Sequence, residues 1–204
     1  LHQLCLSLYL LLFLKNINSF FLKNSKYIPK IILTNRLILI PFTIKICNDI
    51  LNNNFETIEC LGLKRGKNWP DSDTLETLPK IISNLSKVFL PTGFESWMII
   101  KKETNEIIGD IGFKGLNKLN NNCDLGYGII ESERRKGYAE EAAKSLINWV
   151  LNNDSSITIT ASTLIDNENS IKLLQKLNFI EIIRDEILIY WKFLNKDFNK
   201  SSWN

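Results

Sequence analysis

Histidine is nearly absent from this chain, with one residue, His2, among 204. Away from that terminus neither a Ser-His-Asp nor a Cys-His arrangement can be assembled, and a histidine-based metal site is excluded with them. Cysteine is sparse as well. Cys5, Cys47, Cys60 and Cys123 stand far apart with no CxxC pair, a pattern that fits reduced, buried thiols in a cytoplasm rather than a disulfide framework or a zinc site. Charge of one sign is lacking: 25 Lys+Arg against 22 Asp+Glu leave a net +3. That charge is spread along the chain, so no large nucleic-acid footprint is indicated, while small anionic ligands stay open. A membrane-spanning run is missing too. Leu4 to Leu14 is apolar, but Lys15 interrupts it before the length that a bilayer core of about 30 Å demands. No positive n-region or clear small-residue cleavage site marks a signal peptide. The chain opens on Leu rather than Met, and residues 1–30 read as an apolar extension, an ordered helix on the domain being a stronger reading than a membrane anchor.

What is present is enough for one domain, since 45% of the residues are hydrophobic and the length suffices for a full core. Residues 31–195 are taken as that domain and 196–204 as a tail. Ile31 to Ile40 is strand-like and closed by Pro41. Ile44 to Leu51 and Thr74 to Val88 read as helices around a loop holding Trp69, Pro70 and Asp71. Strands follow at Ser96 to Lys102, Glu106 to Lys114 and Cys123 to Glu131. After a long amphipathic helix come a Thr-rich strand at Ile157 to Leu164, a helix at Glu168 to Leu177, and strands at Phe179 to Arg184 and Ile187 to Phe193. The order is β-α-α-β-β-β-α-β-α-β-β, a mixed α/β layout without internal repeats.

The most informative stretch runs from Leu125 to Ala139. Leu125, Tyr127 and Ile129 alternate with small residues at strand period, whereas Ala142, Ala143, Leu146, Ile147 and Val150 recur at helical spacing. Between them lies Arg134-Arg-Lys-Gly-Tyr-Ala139. A helix N-terminus there offers unpaired N–H groups and the positive end of the dipole, and Gly137 lets a phosphate approach the backbone. The spacing excludes a Walker loop, GxxxxGK[ST], and the Gly109, Gly112, Gly115 series is not a dinucleotide GxGxxG.

The R-x-x-G-x-A loop, followed about thirty residues on by the run Asp166 to Phe179, resembles the acyl-CoA site of the GCN5-related N-acetyltransferases (GNAT), and within them the ribosomal-protein acetyltransferase branch. Thr34 to Leu39 resembles the family's opening strand and Gly109 to Gly112 its third, with departures at Asn35 and Ile40, where the family carries an acidic residue and an arginine. The resemblance spans residues 31 to about 195. It implies a mixed sheet of six to seven strands, splayed at its centre and flanked by about four helices. Backbone groups of Ile129 and Ile130 are then expected to pair with the pantetheine arm of acetyl-CoA. N–H groups of Arg135, Lys136, Gly137, Tyr138 and Ala139 hold the pyrophosphate, Arg134 closes the loop, and Asn167 and Ser170 border the amide arm or simply cap their helix.

The implied activity is transfer of acetyl from acetyl-CoA to a primary amine, a protein N-terminus or a small molecule, by direct attack in a ternary complex, in the cytoplasm, by a monomer or homodimer. No metal is implied. An amine is mostly protonated near neutral pH, so a base is expected. Asp124, on the strand before the loop where relatives place a carboxylate, is that candidate, with a strand-end Asp held by its turn as the plain reading. The oxyanion would meet a strand N–H near Ile129. Leu174 stands where many relatives carry a tyrosine acid and Ser162 where some carry a glutamate base. These departures motivate the alternative of an acyl-CoA-binding module without turnover. Cys123 as an acyl acceptor has no activating partner in the sequence. Acceptor selection is expected from Trp69, Asp71, Trp97, Tyr190 and Trp191, although such aromatics are more often core.

Overall fold

The computed structural model describes residues 31–195; the readings made for 1–30, for the tail 196–204 and for His2 and Cys5 lie outside them. The opening segment is a small hairpin rather than one strand. β1 (Ile32–Leu33) pairs antiparallel with β2 (Leu37–Pro41). Thr34 makes the turn, because its hydroxyl accepts from the Leu37 N–H at 2.8 Å while its own N–H reaches the Leu37 carbonyl at 3.0 Å, a local side-chain bond that competes with the ladder. Pro41 is the last residue of β2 and faces Trp97 of the next strand, beyond the reach of β1, where a missing N–H leaves no ladder bond unmade.

α1 (Ile44–Leu51) is capped by Thr43, and α3 (Ser72–Leu85) by Asp71, whose carboxylate accepts from the Thr74 N–H at 2.9 Å. Between them sits α2 (Glu56–Cys60), a five-residue helix too short to impose a period on the sequence, and β3 (Lys64–Arg65). β4 (Ser96–Lys101), β5 (Glu106–Asn117) and β6 (Asn122–Ile129) form an antiparallel meander. α4 (Tyr138–Asn153), β7 (Thr158–Leu164), α5 (Glu168–Lys176), β8 (Phe179–Arg184) and β9 (Leu188–Phe193) complete the described residues. The sheet has nine strands in the order β1-β2-β4-β5-β6-β7-β9-β8, with β3 pairing β5 off that path. Two of the nine, β1 and β3, are two-residue strands, which leave almost no periodicity to read.

α4 packs on β2, β5 and β6, and α3 on β5 and α1. Trp149 of α4 meets the rings of Phe94 and Trp97 edge-on at 5.2 and 6.0 Å, which seats the helix against β4. One irregularity in the sheet bears on the site. β6 runs parallel to β7 only from Asn122 to Leu125, whereas its pairing with β5 continues to Ile129. Past Leu125 the two central strands diverge, and Gly126 to Ile129 keep one edge without a strand partner.

Candidate functional site

The open edge leads straight into the loop singled out in the sequence. A 3-10 turn at Glu131–Glu133 follows β6, Arg134 is extended, and Arg135 and Gly137 both take left-handed backbone, φ 63° and 81°. Gly137 stands at the N-cap of α4 without a side-chain cap, so the first N–H groups of a 16-residue helix stay free for an anion.

These elements enclose a cleft of ≈ 890 Å³ lined among others by Tyr127, Gly128, Ile129, Arg134, Arg135, Gly137, Tyr138, Ala139, Asn167 and Ser170. Lys136 and Ile130 are not on its wall. The Lys136 ammonium lies 3.0 Å from Glu133, and the Ile130 N–H donates to the Ile108 carbonyl of β5 at 3.0 Å, its side chain buried. Arg134 donates from Nε to the Ile129 carbonyl at 2.8 Å and reaches Asp73 at 3.4 Å. Asn167 caps α5, accepting from the Ser170 N–H at 3.1 Å, so both residues cap and border the cleft at once.

Arg36 is the residue the sequence did not announce. Its Nη1 donates to the Lys136 carbonyl at 2.9 Å, its Nε pairs with Glu141 at 2.7 Å, and its guanidinium covers the Tyr138 ring at 4.6 Å from the centroid. Nothing in a strand-like run beginning at Ile31 points to a helix more than a hundred positions away. Burial pushes the Glu141 carboxyl up, but the Thr34 hydroxyl, the Arg36 N–H and the Arg36 guanidinium outweigh it and hold the group below the usual range. Glu140 is likewise lowered overall: burial opposes, yet Lys176 and Lys144 prevail at 2.7 and 2.9 Å, and this ties α4 to α5. With those carboxylates engaged, Arg135 is left as an exposed cation beside the helix start.

A second cleft of ≈ 820 Å³ opens on the α3 side of β5 and β6 and shares Asp73, Tyr127, Gly128 and Ile129 with the first. Asp110, Asp71 and Lys114 line it. The Asp110 carboxyl is pushed up to about 7, by burial first and then by the charges of Asp71 and Asp73. It has no hydrogen-bond or ion-pair partner among the described residues. The flanking glycines explain themselves: a Cβ on Gly109 would stand 2.1 Å from the Gly128 carbonyl oxygen and one on Gly112 2.4 Å from Ser96 Cα.

Asp124 lies elsewhere. It sits on the part of β6 still paired with β7, opposite Thr160; it accepts from the Thr160 hydroxyl at 2.9 Å, pairs with Lys114, and lines neither cleft. Leu174 is fully buried, and Ser162 pairs with Tyr190 in the β7–β9 ladder, away from both clefts. Cys47 and Cys123 are buried thiols pushed up to about 12, in each case by burial and then by an aspartate, Asp110 and Asp124 respectively, which leaves neither of them as a thiolate for nucleophilic work. Trp69, Trp97 and Trp191 are core. Among the described residues no group of three or more His, Cys, Asp or Glu is placed to hold a metal ion, and no helix is long and apolar enough to cross a membrane.

Residues 36–180 match the family model described as an acetyltransferase (GNAT) domain. The chain is 37% identical over 163 residues to the uncharacterized N-acetyltransferase YjdG of Bacillus subtilis (strain 168), covering 80% of this chain and 97% of that protein. In structure it resembles an acetyltransferase from Agrobacterium tumefaciens str. C58, with a TM-score of 0.57 at 20% identity over 85% of this chain and 99% of the other. A ribosomal L7/L12 alpha-N-protein acetyltransferase, RimL, solved in complex with coenzyme A, shares the fold with a TM-score of 0.57 at 14% identity, over 80% of this chain and 97% of the other.

Proposed function

The chain belongs to the GNAT acetyltransferase family and is an acetyl-CoA-dependent acyltransferase, and we propose that its acceptor is a primary amine, which attacks acetyl-CoA directly in a ternary complex. The observation that carries this reading is the open edge of β6 from Gly126 to Ile129, leading through a 3-10 turn and the Arg134–Gly137 loop to the uncapped N-terminus of α4. An unpaired strand edge accepts an extended amide chain, and the helix start accepts its phosphates. The pantetheine arm pairs along Ile129, and not Ile130, whose N–H donates to the Ile108 carbonyl and whose carbonyl accepts from the Glu133 N–H. The N–H groups from Arg135 to Ala139 receive the pyrophosphate, and Arg134 locks the strand end to the loop through the Ile129 carbonyl.

The two clefts meeting at Tyr127, Gly128 and Ile129 suit donor and acceptor entering from opposite sides of one point. Tyr127 supplies a hydroxyl there. Burial raises its phenol, only partly offset by the Ser170 carbonyl, so it stays protonated and serves the departing thiolate in the role that Leu174 lacks. A protein N-terminus is the acceptor class to try first, because RimL, an alpha-N-protein acetyltransferase, shares the fold. Calorimetry with acetyl-CoA, followed by thiol-release assays over N-terminal peptides and small amines, tests the proposal. Absence of acetyl-CoA binding at millimolar concentration would end it.

A further inference from the structure

Asp110 is the one carboxylate in the acceptor-side cleft that nothing in the described residues engages. It lies on β5 directly opposite Gly128 of β6, and a Cβ built on Gly128 would sit 3.6 Å from its Oδ1. Because residue 128 has no side chain, the space beside the carboxylate is open, and Gly128 lines both the donor and the acceptor cleft. The next residue, Ile129, forms the open edge along which the donor runs. The rival carboxylates are committed: Asp71 caps α3, Asp73 meets Arg134, and Asp124 is held by Thr160 and Lys114.

We infer that Asp110 is the general base of this enzyme, receiving the acceptor as an ammonium ion beside Gly128 and taking one proton from it before attack. The inference rests on the acetyltransfer reading above. Asp110 as carboxylate takes a proton from R–NH3⁺ and leaves R–NH2. The nitrogen lone pair then bonds to the thioester carbonyl carbon, and on collapse the C–S bond breaks with its electrons on sulfur. The second N–H proton ends on that sulfur, giving CoA thiol and amide, and Asp110 releases the first proton to solvent. Burial and then the charges of Asp71 and Asp73, at the start of α3, raise its pKa; Cys47 of α1 feels its charge, and Lys80, Lys87 and Lys114 line the same cleft. A base that titrates near the operating pH combines an available charged form with useful proton affinity, the condition that favours catalysis.

The test uses the full chain, with acetyl-CoA and the best amine from the panel, across the pH range around neutrality. Wild type is expected to show a rising limb in kcat/KM centred near 7. Asp110→Asn is expected to lose at least about 100-fold, the lower bound usual for general base removal, and to lose the limb, while calorimetric acetyl-CoA affinity stays unchanged. Asp110→Glu is expected to restore part of the rate together with the limb, and Asp124→Asn to retain the limb. An independent reading comes from ¹³C carboxyl titration of the protein loaded with CoA, with Asp110→Asn identifying the resonance. A midpoint near 7 supports the assignment whether or not an acceptor has been found. A midpoint in the ordinary aspartate range, or Asp110→Asn turning over within tenfold of wild type, overturns it. Failure of acetyl-CoA to bind at all is read separately by the calorimetry and strikes the functional proposal instead.

Discussion

Arg36 and Glu141 meet across the molecule: the guanidinium Nε lies 2.7 Å from Oε2 and the Arg36 N–H 2.7 Å from Oε1. One side chain thereby joins the β1–β2 turn to the first turn of α4, and its other arm holds the Lys136 carbonyl. The loop proposed to receive the CoA pyrophosphate is thus braced from behind by a residue that takes no part in the cleft lining.

Arg36→Ala is expected to weaken acetyl-CoA binding by about tenfold, roughly 1.4 kcal/mol. Hydrogen bonds to charged groups contribute about 1.5–3 kcal/mol when intact, and exposure of the arginine reduces that. Arg36→Lys is expected to recover little, because an ammonium cannot bridge two acceptors with a rigid fork. Calorimetry with acetyl-CoA checks both. The stability effect carries a pH signature. A carboxyl whose folded pKa is lowered contributes stability above its unfolded value, and that contribution disappears as the pH falls through the folded value. The melting gap between Arg36→Ala and wild type should therefore be full at neutral pH and close below about pH 4.

Gly137→Ala is expected to cost about 1–2 kcal/mol of stability, the penalty of a Cβ in left-handed backbone, since φ is 81° and the new methyl would stand 3.3 Å from Arg36 Nη2. The added carbon also crowds the phosphate approach. KM for acetyl-CoA should rise while kcat at saturation changes little, the pattern of lost ground-state binding. An unchanged KM would show that the helix start does not face the phosphates.

Gly109→Ala and Gly126→Ala should behave in opposite ways. At Gly109 the new carbon would meet a backbone carbonyl oxygen at 2.1 Å, whereas at Gly126 nothing lies within 4 Å. Forced separation of β5 from β6 is expected to cost about 1–3 kcal/mol at the first position, against a change within about 0.5 kcal/mol at the second. Chemical denaturation of both variants decides this.

Asp110→Asn is expected to be more stable than wild type at pH 8. Folding raises this carboxyl to about 7, so the folded state binds the extra proton between its unfolded and folded values. Stability then falls as the pH rises through that window, and the full penalty is present above it. Removing the charge should lift the melting temperature by at least about 2 °C at pH 8, with the advantage shrinking toward pH 5. A variant that melts lower at both pH values would place Asp110 in a structural role.

Much of the candidate site was legible locally because its signals are local. The change from strand to helical period at Gly137, the glycine itself and the adjacent basic residues lie within a single stretch, and each follows from backbone sterics or helix-end chemistry. The Gly109-Asp-Ile-Gly112 run was visible too, but its reason was not, since the atoms that forbid a Cβ there belong to Gly128 and Ser96 on neighbouring strands. Asp124 and Asp110 are both aspartates on strands, and no spacing rule separates them.

What the amino-acid order determined alone was the α/β succession and the loop that opens α4 on an uncapped glycine, because periodicity, caps and left-handed turns act within a few residues of themselves. Which carboxylate is left unpaired in a cleft, where β6 parts from β7, and that Arg36 stands behind the loop were decided only by tertiary packing. Those outcomes depend on which distant backbones are brought within a few ångströms of each other, and on how far burial and neighbouring charges then shift a proton.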